Sequence, residues 1–387
     1  MPIKLLVVDD EPDLETLIRQ RFRRKIRESE FEFVFARNGV DALQKLDADG
    51  DIDIILTDIN MPEMDGLTLL TKLAEHGKPH KAIIVSAYGD MENIRTAMNR
   101  GAFDFLTKPI DFKDLEITLE KTTRELLAGK EAAAARDRLS AVQQELDVAA
   151  KIQRSIIPGV FPPYPDRKDF ELHAKMIPAR SVGGDFYDFF LIDPTRLGFA
   201  IGDVAGKGVP AAIMMAVSRT LVKATALGGP SAAECLHQVN QLLCADYSAG
   251  LFVTLVYGIL NTETGEVDYC IAGHQPPYVI RASGVIEPVA HPGGLVLGVS
   301  AQGEYSGGRV SLQPGDGLFL YTDGVSEAMN LERELFSEKR IEKVLQKHGA
   351  DPIHRLVKAV VAEVRAFNEE APQTDDIAVL ALRYLGR

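Results

Sequence analysis

Four places from residue 185 onward in this 387-residue chain put an aspartate where a short apolar run begins or ends. Asp185 and Asp203 bracket "GGDFYDFFLIDPTRLGFAIGDVAGKG", Asp323 lies in "YTDGVSEAMN", and Asp375 with Asp376 opens "QTDDIAVL". One Gly-Asp pair alone is ordinary turn chemistry. Four carboxylates with no histidine or cysteine nucleophile beside them are the donor set for two hard divalent ions. Two such ions about 4 Å apart acidify a shared water, aim it at phosphorus and offset transition-state charge, so no protein nucleophile is needed. Gly202, Gly206 and Gly208 let the backbone approach a cation closely. A phosphate-cradling P-loop does not fit "GDVAGKG". It needs four residues between its glycines and a hydroxyl residue after the lysine, whereas here there are three and then Gly208.

A second constellation lies near the N-terminus: Asp9 and Asp10, then Asp58, Ser86 and Lys108. Converging carboxylates repel one another unless a divalent cation, Mg2+ or Mn2+, sits between them. Such an ion can hold a phosphoryl group against Asp58 as nucleophile, with Lys108 and the Ser86 hydroxyl on the phosphoryl oxygens. The elements that must position these groups are five apolar runs, "IKLLVVDD", "FEFVFA", "DIDIILTD", "KAIIVSA" and "FDFLTKP". They alternate with helical patterns starting near Pro12, Gly39, Gly66, Asp90 and Asp111. Continuous apolar strands alternating with helices predict a doubly wound five-stranded parallel sheet, an α/β unit whose site lies at the carboxyl ends of its strands.

From Phe112 to Ile157 there is no proline, and Ala, Leu, Glu, Lys, Arg and Gln dominate, which predicts a long helix. Leu139, Val142, Leu146, Ala149 and Ile156 form one seam, and Leu115, Leu119, Thr122 and Leu126 a second in shifted phase, with a discontinuity near Gly129. Two seams of this kind suggest a parallel coiled coil joining a homodimer. Beyond Pro158, seven strand-like runs surround helical blocks at 208–227 and 231–247, with two more near 336 and 352. This pattern predicts an α+β unit, a β-sandwich flanked by helices. The expected division is therefore 1–122, a helical linker at 123–157, and 158–387.

Composition narrows the partners. With 46% hydrophobic and 26% charged residues the chain reads as a soluble globular protein. A net charge of −13 opposes nucleic-acid binding, and the basic stretch "RQRFRRKIR" suits the solvated face of a first helix. Neither a secretory signal nor a membrane span is legible, so neither membrane nor export is expected. Three cysteines at spacings matching no metal knuckle fit a cytoplasmic protein with reduced thiols.

"VVDDEPD", "LTDINMPEMDGL", "IIVSAYGD" and "FLTKPID" resemble the response-regulator receiver domain over residues 1–122. The resemblance implies a flavodoxin-like fold, phosphorylation of Asp58 by a partner histidine kinase, and Mg2+ held by Asp10, Asp58 and the backbone of Asn60. It also implies a switch through Ser86 and Phe105, where the family often has a tyrosine. "ARSVGGDFYDF", "IGDVAGKGVPAAIMM", "AGHQPPYVI", "LYTDGVSEAMN" and "TDDIAVL", with "AAKIQRSIIPGVFP" upstream, resemble metal-dependent protein phosphatases (PPM, protein phosphatase 2C-like) of the sporulation stage II protein E subfamily. That resemblance implies hydrolysis of phosphoserine or phosphothreonine with two Mn2+ or Mg2+ ions. Asp203 would bridge them, the Val204 carbonyl complete one, Asp323 and Asp375 hold the other, and Asp185 bind directly or through water. Asp376 is the alternative to its neighbour. Arg180 is a substrate-phosphate ligand or a surface residue, and His274 a proton donor or a structural histidine. The implied substrate is a phosphorylated anti-sigma-factor antagonist, which would make this a two-component regulator of transcription. A pseudophosphatase that binds its partner when the receiver is phosphorylated is the alternative, less favoured because every metal aspartate is present.

Overall fold

The computed structural model describes residues 2–75, 80–87, 90–246, 250–369 and 371–386. The chain folds as two units, 1–141 and 142–387.

In the first unit, strands β1 (Ile3–Val8), β2 (Phe31–Ala36), β3 (Ile54–Asp58), β4 (Lys81–Ala87) and β5 (Asp104–Lys108) form one parallel sheet in the order β2-β1-β3-β4-β5. Between them run α1 (Pro12–Arg21), α2 (Arg23–Arg27), α3 (Gly39–Ala48), α4 (Gly66–Glu75) and α5 (Met91–Asn99). The sheet is buried on both faces, as its near-continuous apolar strands predict. Leu6, Val8, Ile55 and Ile84 face one helical layer and Leu5, Val7, Ile54, Ile83 and Val85 the other. "RQRFRRKIR" does lie on exposed helix surface, with Arg19 paired to Glu15 and Arg24 to Glu28 along α1 and α2. Tyr88 and Gly89 of "IIVSAYGD" lie outside the described residues.

Helix α6 (Phe112–Ile156) is continuous for 45 residues, and Gly129 lies inside it without interrupting it. This corrects the expected pair of coiled-coil seams. Leu115, Leu119, Thr122 and Leu126 are 1%, 1%, 0% and 6% exposed, and the three leucines belong to the receiver core, so they are committed to packing within their own unit. Leu139 and Val142, at 71% and 53%, are open. The phase shift near Gly129 marks where the helix leaves the receiver core.

The second unit holds two five-stranded antiparallel sheets. One contains β7 (Phe186–Asp193), β8 (Arg196–Val204), β9 (Val253–Asn261), β10 (Glu266–Ala272) and β13 (Gly307–Ser311). The other contains β6 (Phe170–Ile177), β11 (Tyr278–Ile280), β12 (Ile286–Pro288), β14 (Gly317–Tyr321) and β15 (Ile377–Tyr384). Helices α7 (Val209–Ala226) and α8 (Ala232–Asp246) cover the first sheet, and α10 (Ser337–His348) and α11 (Ile353–Asn368) the second, with the single turn α9 (Asp323–Ser326) after β14. Alternation in β14 shows the layering. Leu318 and Leu320 point into the core between the sheets, while Phe319 and Tyr321 point to α10 and α11. The β7–β8 hairpin turns at Asp193, whose carboxylate accepts the amides of Thr195 and Arg196 and pairs with the Arg196 guanidinium at 2.6 Å. That guanidinium pulls the Asp193 carboxyl down to about 2.

Candidate functional site

At the carboxyl edge of the parallel sheet, Asp9, Asp10 and Asp58 bring carboxylate oxygens within 4.8 Å of one another. Among the described residues no other acidic, histidine or cysteine cluster is as tight. Lys108, last in β5, reaches across to Asp58 at 2.8 Å, Asp9 at 3.3 Å and Glu11 at 2.9 Å. Burial pulls its ammonium down, but hydrogen bonds to Asp58 and Glu11 prevail and hold it above the ordinary lysine range. Burial pushes the Asp9 carboxyl up, opposed by the Glu11 amide at 2.8 Å. A Cβ on Gly66 would meet the Asp58 carbonyl at 2.1 Å, so the helix start at "MDGL" can close on the site only with glycine there. Ser86 is fully buried and donates to Asp90 at 3.2 Å. Phe105 is 39% exposed, and Asn60 lies exposed just after β3. Glu11, which the sequence reading passed over, is the third partner of Lys108; its signal was its place in "VVDDEPD".

The second unit gathers its aspartates at strand ends of both sheets. Asp185 immediately precedes β7, Asp203 stands next to last in β8, Asp323 follows β14, and Asp375 lies two residues before β15. They act on one another: Asp185 shares a hydrogen bond with Asp203, the charges of Asp323 and Asp375 bear on Asp203, and that of Asp375 bears on Asp323. Burial first, and the Asp203 charge second, hold the Asp185 carboxyl well above the usual range. Burial and then Asp323 push Asp203 up to about 7, and burial with Asp375 raises Asp323. Repelling, half-desolvated carboxylates aligned in this way are a donor set that suits hard divalent cations.

Local contacts fix each member. The Thr322 hydroxyl donates to Asp185 Oδ2 at 2.6 Å while accepting the Ala378 amide at 2.9 Å, locking that carboxylate to β15. Thr322 was missed from sequence, although it stands directly before Asp323. A Cβ on Gly184 would lie 2.7 Å from the Val204 carbonyl and 3.4 Å from Asp203 Oδ1, so glycine there lets Asp185 stand against the end of β8. After Val204 the chain turns through Gly206 at φ +97° and Gly208 at φ +79°, which favour glycine, and α7 begins. Lys207 in that turn pairs with Asp375 Oδ2 at 2.9 Å and donates to the Thr374 carbonyl at 2.6 Å.

Asp375 and Asp376 are distinguishable in the fold. Asp376 spends both oxygens on backbone, Oδ1 on the Ala179 amide at 2.7 Å and Oδ2 on the Gly184 amide at 2.7 Å. Asp375 keeps its Oδ2 outward on Lys207. Arg180 stands exposed in the bend between β6 and β7. His274 is 4% exposed, and burial pushes its ring down to about 4, so it is neutral at physiological pH. Asp188 is buried against the Arg219 guanidinium at 3.0 Å, tying β7 to α7.

Comparison with known proteins matches the two ends of the chain to different families. Residues 5–120 match the response regulator receiver domain and residues 193–385 match Stage II sporulation protein E. The chain is 28% identical to Protein IcfG of Synechocystis over 62% of its length and 41% of that protein's. To phosphoserine phosphatase RsbU of Bacillus subtilis it is 25% identical, over 62% of its own length and 70% of that protein's. The receiver is 37% identical to chemotaxis protein CheY of Listeria monocytogenes, over 32% of this chain and 99% of the relative. Among solved structures, the RsbU and RsbW domains of Rv1364c from Mycobacterium tuberculosis align with TM-score 0.50 and 27% identity over 56% of this chain and 60% of that one. The SiaA-PP2C domain of Pseudomonas aeruginosa shares the fold, with TM-score 0.57 and 24% identity over 64% of this chain and 98% of that one. The chain thus belongs to the response regulator receiver family through its N-terminal unit, while residues 193–385 of its C-terminal unit match Stage II sporulation protein E.

Proposed function

We propose that a histidine kinase phosphorylates Asp58 and that the receiver then controls removal of phosphate from phosphoserine or phosphothreonine of a small anti-sigma-factor antagonist, redirecting transcription in the cytoplasm. The observation that carries this reading is the set of carboxylates Asp185, Asp203, Asp323 and Asp375 at strand ends of both sheets, the first buried, the others half-buried, and each under the charge of another. Asp185, Asp203, Asp323, Asp375 and the Val204 carbonyl would hold two Mn2+ or Mg2+ ions. Asp376, with both oxygens on backbone amides, is a support and not a ligand. In the receiver, Asp9, Asp10, Asp58 and the Asn60 carbonyl would hold Mg2+.

Bound at the carboxylate line, divalent ions supply positive charge for the phosphoryl transition state and acidify water. The protein's share is preorganisation. Thr322 aims Asp185, Gly184 admits the Val204 carbonyl, and Lys207 steadies the Asp375 loop. Neutral His274 takes no acid role. The open Leu139 and Val142 on α6 support a homodimer that pairs through this stretch of helix.

The deciding assay measures Mn2+-dependent dephosphorylation of phosphorylated antagonist proteins by the full chain, with and without beryllofluoride, in wild type, Asp203→Ala and Asp58→Ala. Turnover that vanishes in Asp203→Ala, and a response to beryllofluoride that vanishes in Asp58→Ala, are the expected results. Stable capture of the phosphoprotein without turnover would instead establish a binding module.

A further inference from the structure

The last turn of α6 touches the loop that carries Asp185, and the contact has an unusual form. Gln153 is 5% exposed and faces Gly183 with both ends of its carboxamide. Its Nε2 donates to the Gly183 carbonyl at 2.6 Å, and its Oε1 accepts the Gly183 amide at 3.1 Å. Only one orientation of the amide satisfies both bonds, since a flipped group would set donor against donor and acceptor against acceptor. The side chain therefore mimics a strand partner for a single residue of irregular backbone.

What lies on the other side of Gly183 gives the clamp its consequence. A Cβ there would lie 2.0 Å from Asp376 Oδ2, so the loop is pressed directly onto that carboxylate. The same oxygen accepts the Gly184 amide at 2.7 Å and the Asp185 amide at 3.4 Å. Residues 183–185 are held between Gln153 on α6 and Asp376 at the start of β15, and the side chain of Asp185 is the group they deliver to Asp203. Ala150, Gln153 and Ile157 lie three and four residues apart and are all buried, so one face of the helix end is seated on the phosphatase core. The Tyr187 hydroxyl holds the Pro158 carbonyl just beyond it at 2.8 Å. Helical geometry makes the clamp sensitive to register. One residue of slip turns the face by about 100° and carries the carboxamide away from Gly183.

We propose that Gln153 is a positioning residue for the metal site: its carboxamide sets residues 183–185, and through them Asp185, so the register of the connector helix decides whether the site is assembled. This inference rests on the metal-dependent phosphatase reading and names the part of the site that regulation acts on.

The test uses the full chain and two variants. Gln153→Met keeps the shape of the side chain and removes both hydrogen bonds, while Gln153→Glu keeps an acceptor for the Gly183 amide and sets a second acceptor against its carbonyl. Mn2+ binding by calorimetry is expected to weaken about 10-fold or more in both, the usual effect of losing a group that orients a ligand. With p-nitrophenyl phosphate at saturating Mn2+, kcat should fall while KM holds. Ile157→Ala, which opens a cavity on the same buried face, should lower thermal stability and leave Mn2+ affinity within about 2-fold of wild type. Hydrogen exchange on the wild type needs no variant: the Gly183 amide should be protected and should open together with the Ile157 amide, which is bonded to the Gln153 carbonyl. Wild-type Mn2+ affinity in a folded Gln153→Met, or a Gly183 amide that exchanges independently of the helix end, would overturn the proposal. Failure of the wild type itself to bind Mn2+ would instead refute the phosphatase reading beneath it.

Discussion

Adjacent residues of one type can hold opposite assignments, and "QTDDIAVL" is the instance here. Asp376 is 7% exposed and bound to amides on the β6–β7 connection, so it is part of the frame, while Asp375 faces Lys207 and the other carboxylates. No spacing rule separates the two in sequence, because the partners that choose between them lie nearly two hundred residues earlier in the chain. His274 makes the same point for a titrating group. Burial holds its ring at about 4 in the fold against 6.5 for an ordinary histidine, so the unfolded chain binds the extra proton between those values. A depressed value means that the stability tied to a neutral ring is complete above about pH 6.5 and is lost as the pH falls toward 4. From about pH 7.5 to about pH 5.5 this one group should cost the fold about 1 kcal/mol. Urea unfolding of wild type and His274→Gln at the two pH values checks it. The variant, less stable overall, should lose less on acidification, and an identical loss in both proteins would show that His274 is not the group responsible.

At the scale of elements, the strands and helices that carry chemistry were legible because their patterns are local. The five apolar runs of the receiver became β1 to β5, and the blocks at 208–227 and 231–247 became α7 and α8. Short edge pieces such as β12 and β13 were not, since their residues are exposed or alternate weakly and only pairing defines them. The connector was legible as a helix but not in its packing. Leu115, Leu119 and Leu126 repeat at coiled-coil steps, and the same steps also serve a helix lying on a sheet. Their burial gives a sharp contrast. Leu119→Ala should destabilise the receiver by about 2–5 kcal/mol, as large core truncations do. Leu139→Ala, at a site 71% exposed, should change stability by less than about 0.5 kcal/mol. If the chain pairs through the later stretch, Leu139→Ala should instead weaken dimerisation in sedimentation. Equal loss of stability from both changes would mean that Leu139 is also covered within its own unit.

The whole molecule joins two units that each bury a core and each bring carboxylates to strand ends, so an ion bound at either set would be linked to that unit's stability. In the receiver, Lys108 already offsets part of the charge on Asp58 and Asp9. In the C-terminal unit Asp185 is buried and Asp203 half-buried, and burial taxes the charged form of both, with the Asp203 charge adding to it at Asp185 and the Asp323 charge at Asp203. Any ion that binds the fold and not the unfolded chain stabilises it by mass action, about 2.7 kcal/mol at a hundred times its dissociation constant. Scanning calorimetry of the full chain should resolve two transitions, and Mn2+ should raise the one belonging to residues 142–387 by several degrees relative to chelator. Asp203→Ala is expected to abolish that rise while sparing the receiver's response, and Asp58→Asn to do the reverse. Because the substituted aspartate is itself a repelled, desolvated charge, Asp203→Ala should melt no lower than wild type in chelator. A variant that melted far lower there would place Asp203 among the structural groups of the fold, and the carboxylate line would lose the member on which its two-ion reading depends.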